Sequence, residues 1–210
     1  MSDYLVFDLE TQRSAMDVGG WDHIDEMKMS VGVLWDSAEG KFFVYYEDQV
    51  QELIAHLFKG PMVIGYNHIG FDYRVLSGYY PMEEREAAFE KFKEIKNQDL
   101  LLMIRDVIGK KIKLESAARP TLKVGKSADG LQALEWYKEY LAGEKKKLTM
   151  IADYCKQDVA VTRDLYIYGL ENNQILYQDK DQGIQKIKVD WEYREEKPDP
   201  FADQEQLSLF

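Results

Sequence analysis

Tyr4-Leu5-Val6-Phe7-Asp8-Leu9-Glu10-Thr11 begins as a short, β-rich apolar run and then breaks its own pattern. Side chains of a strand alternate between two faces, so Tyr4, Val6, Asp8 and Glu10 share one face. An otherwise buried strand therefore ends with two carboxylates side by side, where like charges repel. Taken alone, Asp-x-Glu also fits a solvent-exposed strand end. The pair gains meaning only from what else in the chain converges on it.

The 210 residues are 45% hydrophobic and 13% aromatic, enough for one buried domain with something appended. With 27 basic against 38 acidic residues, the net charge of −11 argues against holding duplex DNA or an anionic membrane by bulk electrostatics. Any contact with nucleic acid has to be local. One cysteine excludes an internal disulfide framework and a Cys-cluster zinc site, and three scattered histidines do not make a His-rich one, so a bound metal would be held by oxygen. The N-terminus enters the strand without a basic leader, and no long apolar run follows. A soluble, cytoplasmic protein with no membrane partner is expected.

Met29 to Trp35 and Lys41 to Tyr46 read as two more strands, joined by the turn signal Ser37 to Gly40. Helical spacing from Gln49 to Phe58, a strand from Pro61 to Tyr66, a turn from Asn67 to Gly70 and a helix from Phe71 come next. Residues 83–105 read as charged helix, and 114–126, with Pro120 and Gly125, as loop. Leu131 to Leu141 and Thr149 to Tyr168 are the last helices, the second N-capped by Thr149 and ended by Gly169. The expected architecture is α/β, a mixed central sheet flanked by helices, with strands early and helices late. Gln174 to Gln178 and Ile184 to Tyr193 then flank a turn at Asp179 to Gly183, and Ile187, Val189, Trp191 and Tyr193 alternate with polar residues, as in a β-hairpin with one buried face. From Arg194 the acid-rich REEKPDPFADQEQLSLF reads as a flexible linker with an apolar end. The divisions are thus 1–170, 171–193 and 194–210.

The last helix repeats the anomaly of the first strand. Asp158 lies within the apolar stripe Ile151, Tyr154, Cys155, Val161, Leu165 and Tyr168. An acid aimed at a core caps a neighbouring element, pairs with a buried Arg or serves a ligand. Cys155 beside it is most simply a small core hydrophobe. Asp72 opens a helix, where the dipole favours an acid in any case. Together these four acids can converge on hard divalent cations, magnesium or manganese. Four carboxylates with two such ions are locally neutral, an arrangement suited to in-line displacement at phosphorus.

FDLET at 7–11, GYNHIGFD at 65–72 and YCKQDVAVT at 154–162 resemble, in order and setting, the three motifs of the DEDD superfamily of 3′→5′ exonucleases, which has the ribonuclease H-like fold. The Tyr-x-x-x-Asp form resembles the tyrosine subclass, and the set is similar to the proofreading domain of family B DNA polymerases. The resemblance covers about residues 1–170. It implies that Asp8, Glu10 and Asp158 bind metal directly, that Asp72 holds a second ion partly through water, and that Tyr154 orients the attacking water. It also implies that Leu9 and Thr11 contact the 3′-terminal nucleotide. Asn67 matches a motif position and joins the substrate-binding candidates, whereas His68 is taken as a turn residue rather than a base. No polymerase domain follows in this sequence, so proofreading in cis is not expected.

Lys110, Lys111, Lys113, Arg119, Lys123 and Lys126, against the single acid Glu115, form the one basic island. Lys110, Lys111 and Lys113 are candidates to track the phosphates of a single strand, although a solvated charged loop has the same composition. Gln206-Leu207-Ser208-Leu209-Phe210 resembles, at all five positions, the pentapeptide QL(S/D)LF with which bacterial replication and repair proteins bind the β sliding clamp. The other reading of it is an end that folds back on its own domain. The expectation is a free-standing 3′→5′ exonuclease of DNA replication or repair, using two divalent cations on single-stranded or frayed DNA with a free 3′ end and releasing nucleoside 5′-monophosphates. It would be recruited by the clamp near the nucleoid of a bacterial or phage-infected cell. An RNA-trimming exoribonuclease and a non-catalytic clamp-binding adaptor are the alternatives.

Overall fold

β1 (Leu5–Thr11) is the middle strand of a five-stranded sheet in a computed structural model that describes residues 3–124 and 130–192. On one side it pairs antiparallel with β2 (Met29–Asp36), which pairs antiparallel with the edge strand β3 (Lys41–Tyr46). On the other it pairs parallel with β4 (Val63–Gly65), which pairs parallel with β5 (Asn97–Asp99). The sheet is mixed, as expected.

Alternation along β1 builds two cores. Leu5, Phe7 and Leu9 pack with α1 (Val50–Lys59), α2 (Asp72–Ser77) and α3 (Arg85–Lys93). Tyr4 and Val6 pack with α4 (Leu100–Ile108), α5 (Leu114–Leu122), α6 (Gly130–Leu141) and α7 (Lys146–Asn172). Each large apolar side chain so buried contributes about 1.5–3 kcal/mol, which fixes the register of the strand and with it the face on which Asp8 and Glu10 emerge. No helix among the described residues is long and apolar enough to cross a membrane.

Five expectations are corrected. The helical reading of 83–105 is interrupted by β5, because Asp99 ends that strand and N-caps α4 through the amides of Leu101 and Leu102, 3.0 and 3.3 Å away. Residues 114–122 are helix rather than loop. Pro120 falls in the last turn, where it removes only the bond to the Ser116 carbonyl, while Ala117, Ala118 and Thr121 are buried and Lys123 closes the helix at φ 57°. Helix α7 runs past both proposed ends: Thr149 is inside it, and Asn173, at φ 53°, rather than Gly169, is its left-handed cap. Gly169 serves a close approach instead, since a Cβ there would sit 2.2 Å from Cε3 of Trp191. The stripe of α7 also turns further than expected, with Val159, Thr162 and Tyr166 buried and Val161 only half-buried. Strands and helices alternate rather than segregate.

The hairpin forms from β6 (Gln174–Asp179) and β7 (Gly183–Lys188), and Val189 and Trp191 beyond it are buried as the alternation requires. Thr121 Oγ1 donates to the Leu176 carbonyl at 2.8 Å and accepts from its amide at 2.9 Å. Gln98 Nε2 donates to the Trp191 carbonyl at 2.9 Å. The hairpin is thereby fastened to α5 and to the sheet. Tyr193 and the tail that follows, including residues 206–210, lie outside the described residues, as do residues 125–129 of the basic segment.

Candidate functional site

Asp8 and Glu10 stand opposite Val33 and Val31 of β2, at the carboxyl end of β1. Between Glu10 and Thr11 the register jumps to Met29, a bulge that turns the strand just past the acids. α7 crosses this face and sets Tyr154 and Asp158 one helical turn apart. One carboxylate oxygen from each of Asp8, Glu10 and Asp158 lies within 4.8 Å of the other two.

The strongest influences on these groups are burial and one another. Asp8 is pushed well above the usual carboxylate range by burial, then by Asp72, Glu10 and Asp158, against a hydrogen bond from Cys155. Glu10 is raised likewise by burial, Asp158 and Asp72. Burial pushes Asp158 up to about 6, opposed by a hydrogen bond with the Tyr154 hydroxyl. No lysine, arginine or histidine is among the main influences on any of the three, and none forms an ion pair with them among the described residues. The buried-Arg reading of Asp158 thus finds no support here. Cys155 is in the core as expected, and its thiol also points at Asp8, 3.4 Å from the carbonyl and 3.7 Å from Oδ2.

Asp72 reaches the same strand from the other core. β4 ends at Gly65 while β1 continues to Thr11, so the Leu9 amide on that side has no strand to pair with. Asp72 Oδ1 accepts it at 3.0 Å. Burial lifts Asp72 to about 7, against the amides of Leu9 and of Asp72 itself, with Asp99 adding to the rise. Asp72 is close enough to perturb Asp8 and Glu10 but is not one of the three clustered acids.

The donor set fits a hard divalent cation. It is all oxygen, carries uncompensated negative charge, and spans little more than the distance of about 4.2 Å between opposite ligands of a magnesium ion. The three clustered acids could hold one such ion, and Asp72 stands beside them.

Leu9 and Thr11 lie on the opposite face from the acids. The Leu9 side chain is buried among residues of α1 and α2, and Thr11 Oγ1 donates to the Arg13 carbonyl at 3.0 Å. Any contact from them to a nucleotide at the acidic face falls to their backbone. Asn67 shapes the turn, at φ 69° with its amide 2.9 Å from Asp99 Oδ1. His68 is in the turn but fully buried, its Nε2 3.1 Å from Asn97 Oδ1 and its Nδ1 3.5 Å from Asp99 Oδ2. Gly65 admits that ring, because a Cβ there would sit 2.6 Å from His68 Cγ.

The basic island divides. Lys110 pairs with Asp179 of the hairpin and holds that carboxyl down to about 2. Lys111 and Lys113 are exposed and flank Ile112, whose carbonyl accepts the Tyr66 hydroxyl at 2.9 Å. Tyr66 directly follows β4, so these two lysines are tied to the end of the sheet that carries the acids. Asp99 escaped notice in the sequence. The signal was there, an acid just before the apolar run Leu100 to Ile104.

A sequence profile of the RNase_H superfamily matches residues 5–169. No curated protein sequence matches the chain. Among solved structures, the family B DNA polymerase from the hyperthermophilic archaeon Pyrobaculum calidifontis is similar with a TM-score of 0.56 and 18% identity, over 80% of this chain and 24% of the polymerase chain. The likeness is one of fold, and the chain spans about a quarter of the polymerase it matches.

Proposed function

Since the chain belongs to the RNase H superfamily, we propose that it is a metal-dependent 3′→5′ exonuclease acting on single-stranded or frayed DNA ends. The observation that carries this reading is the convergence of Asp8, Glu10 and Asp158, half-buried together with no ion pair to a cationic side chain among the described residues, at the end of the central strand. Those three residues hold one divalent cation, and Asp72 helps to hold a second. Such ions, when bound, polarise the scissile phosphate and offset the charge that develops on it. Tyr154, hydrogen-bonded to Asp158, positions the attacking water in this reading. Cys155 and the Leu9 amide hold Asp8 and Asp72 in their places from behind. Lys111 and Lys113, both exposed, offer local phosphate contacts in an otherwise acidic protein.

The test is a DNA oligonucleotide labelled at either end, with and without EDTA, beside an RNA of the same sequence. Mononucleotides should leave from the 3′ end of DNA only when metal is present. Asp8→Ala and Asp158→Ala should each lower turnover by on the order of 10³ or more, because each removes a ligand of the cation that would balance transition-state charge. Near wild-type digestion by either variant refutes the site, and faster digestion of RNA refutes the choice of substrate.

The pentapeptide 206–210 supports recruitment by a bacterial sliding clamp. Leu207, Leu209 and Phe210 fill an apolar groove in this reading, Gln206 supplies directional hydrogen bonds, and Ser208 occupies the variable position. A short peptide that orders on binding reaches micromolar affinity, about −8 kcal/mol. Deleting residues 206–210 should abolish clamp binding in a calorimetric titration while leaving digestion of a free oligonucleotide unchanged.

A further inference from the structure

Four backbone amides from two separate segments converge on the Asp99 carboxylate. Oδ1 accepts from Leu101 at 3.0 Å, Leu102 at 3.3 Å and Asn67 at 2.9 Å, and Oδ2 accepts from Ile69 at 3.2 Å. The first two bonds are an ordinary N-cap. The second two are not needed to start α4, and they come from the turn that launches α2. That turn passes its geometry on, since the amides of Phe71 and Tyr73 bond to the carbonyls of Asn67 and His68, each at 3.0 Å. Asp72 is the first residue of a six-residue helix, too short to fix its own orientation against the cost of nucleation. Its direction is therefore set by what precedes it.

We propose that Asp99 is a positioning residue which staples the 67–69 turn to α4 and thereby holds the Asp72 carboxylate against Leu9, at the place of the second cation. The Asp72 to Leu9 bond is the last link, and Leu9 lies between Asp8 and Glu10. Asp99 is 3% exposed and His68 wholly buried beside it, so water does not compete for these amides. The mechanical half of the proposal stands on the hydrogen bonds alone, whereas the cation half rests on the nuclease reading above.

Asp99→Ser separates the two roles, because serine caps a helix well but is too short to reach Asn67 and Ile69 as well. Asp99→Asn, of the same length with one acceptor oxygen, serves if the serine variant does not fold. Amide hydrogen exchange in EDTA should show the Leu9 amide exchanging about tenfold or more faster in the variant, while Val6 and Asp8, paired with β2, stay protected. The magnesium concentration for half-maximal cleavage should rise about tenfold, with turnover at saturating magnesium within about threefold of wild type. Unchanged Leu9 exchange overturns the proposal, as does uniform acceleration along β1, which marks a merely structural role. An unchanged magnesium requirement overturns its cation half. A wild-type protein that cleaves nothing sinks the nuclease reading instead, and the exchange experiment still decides whether Asp99 positions Asp72.

Discussion

Asp72→Asn removes one negative charge from the acidic cluster and keeps the shape of the side chain. Asp72 is 3% exposed and its value rises from 3.8 to about 7. A carboxyl raised in the folded state binds its proton more tightly there than in the unfolded chain. The stability it allows is therefore whole below pH 3.8 and is lost as pH rises through about 7. That interval corresponds to about 4 kcal/mol at pH 8 in the metal-free protein. Asparagine never ionises and still accepts the Leu9 amide, but it offers one oxygen where aspartate offers two. At most one of the backbone bonds from Leu9 and Asp72 is lost, at about 1 kcal/mol. The variant should thus be about 3 kcal/mol more stable than wild type at pH 8 in EDTA, a urea midpoint higher by on the order of 1 M or more, and equal or slightly weaker at pH 4. Magnesium should close most of that gap, since an ion at 100 times its dissociation constant adds about 2.7 kcal/mol to the protein that binds it. A variant less stable than wild type at pH 8 in EDTA, or a gap that fails to widen between pH 4 and pH 8, refutes the reasoning.

Tyr154→Phe should lower turnover by about 10- to 100-fold while leaving magnesium affinity nearly unchanged, because it removes an orienting hydroxyl and no metal ligand. Without that hydrogen bond Asp158 should titrate above its present value of about 6 in the metal-free protein, which carboxyl NMR reads directly. Gly169→Ala, ordinarily a gain inside a helix, should cost about 1–3 kcal/mol here, since its Cβ would fall 2.2 Å from Trp191 Cε3; in a Trp191→Ala background the same change should stabilise by about 0.5–1 kcal/mol in a denaturation cycle. Lys111→Glu with Lys113→Glu should weaken binding of a single strand and flatten its salt dependence, whereas Lys110→Glu should loosen the hairpin, seen as faster amide exchange in β6 and β7.

The acids could be read from the sequence because each violates the pattern around it. Asp8 and Glu10 interrupt an apolar face of period two, and Asp158 interrupts an apolar stripe of helical period, and these departures survive into three dimensions as a cluster. Other features depend on partners that the local sequence does not contain. Gly169 looks like a helix terminator until Trp191, 22 positions later, needs the space of its missing side chain. Pro120 looks like a breaker, yet α5 continues because Thr121 beside it bonds to the hairpin at Leu176. β5 is three polar residues whose extended shape comes from pairing with β4 rather than from propensity. Lys110 belongs to the basic island by composition and to the hairpin by contact. Leu9 and Thr11 are linked to the nucleotide by the family resemblance alone, and since the period of two puts their side chains on the face away from the acids, such a contact falls to their backbone. Asp99 shows why positioning residues stay hidden where ligands do not. Ahead of an apolar helix it is a satisfied N-cap, indistinguishable in sequence from any other. What sets it apart is that its remaining bonds reach back 30 and 32 positions to a turn that aims another acid. A ligand must break the hydrophobic pattern to be available, whereas a residue that holds a ligand in place does so by completing the pattern.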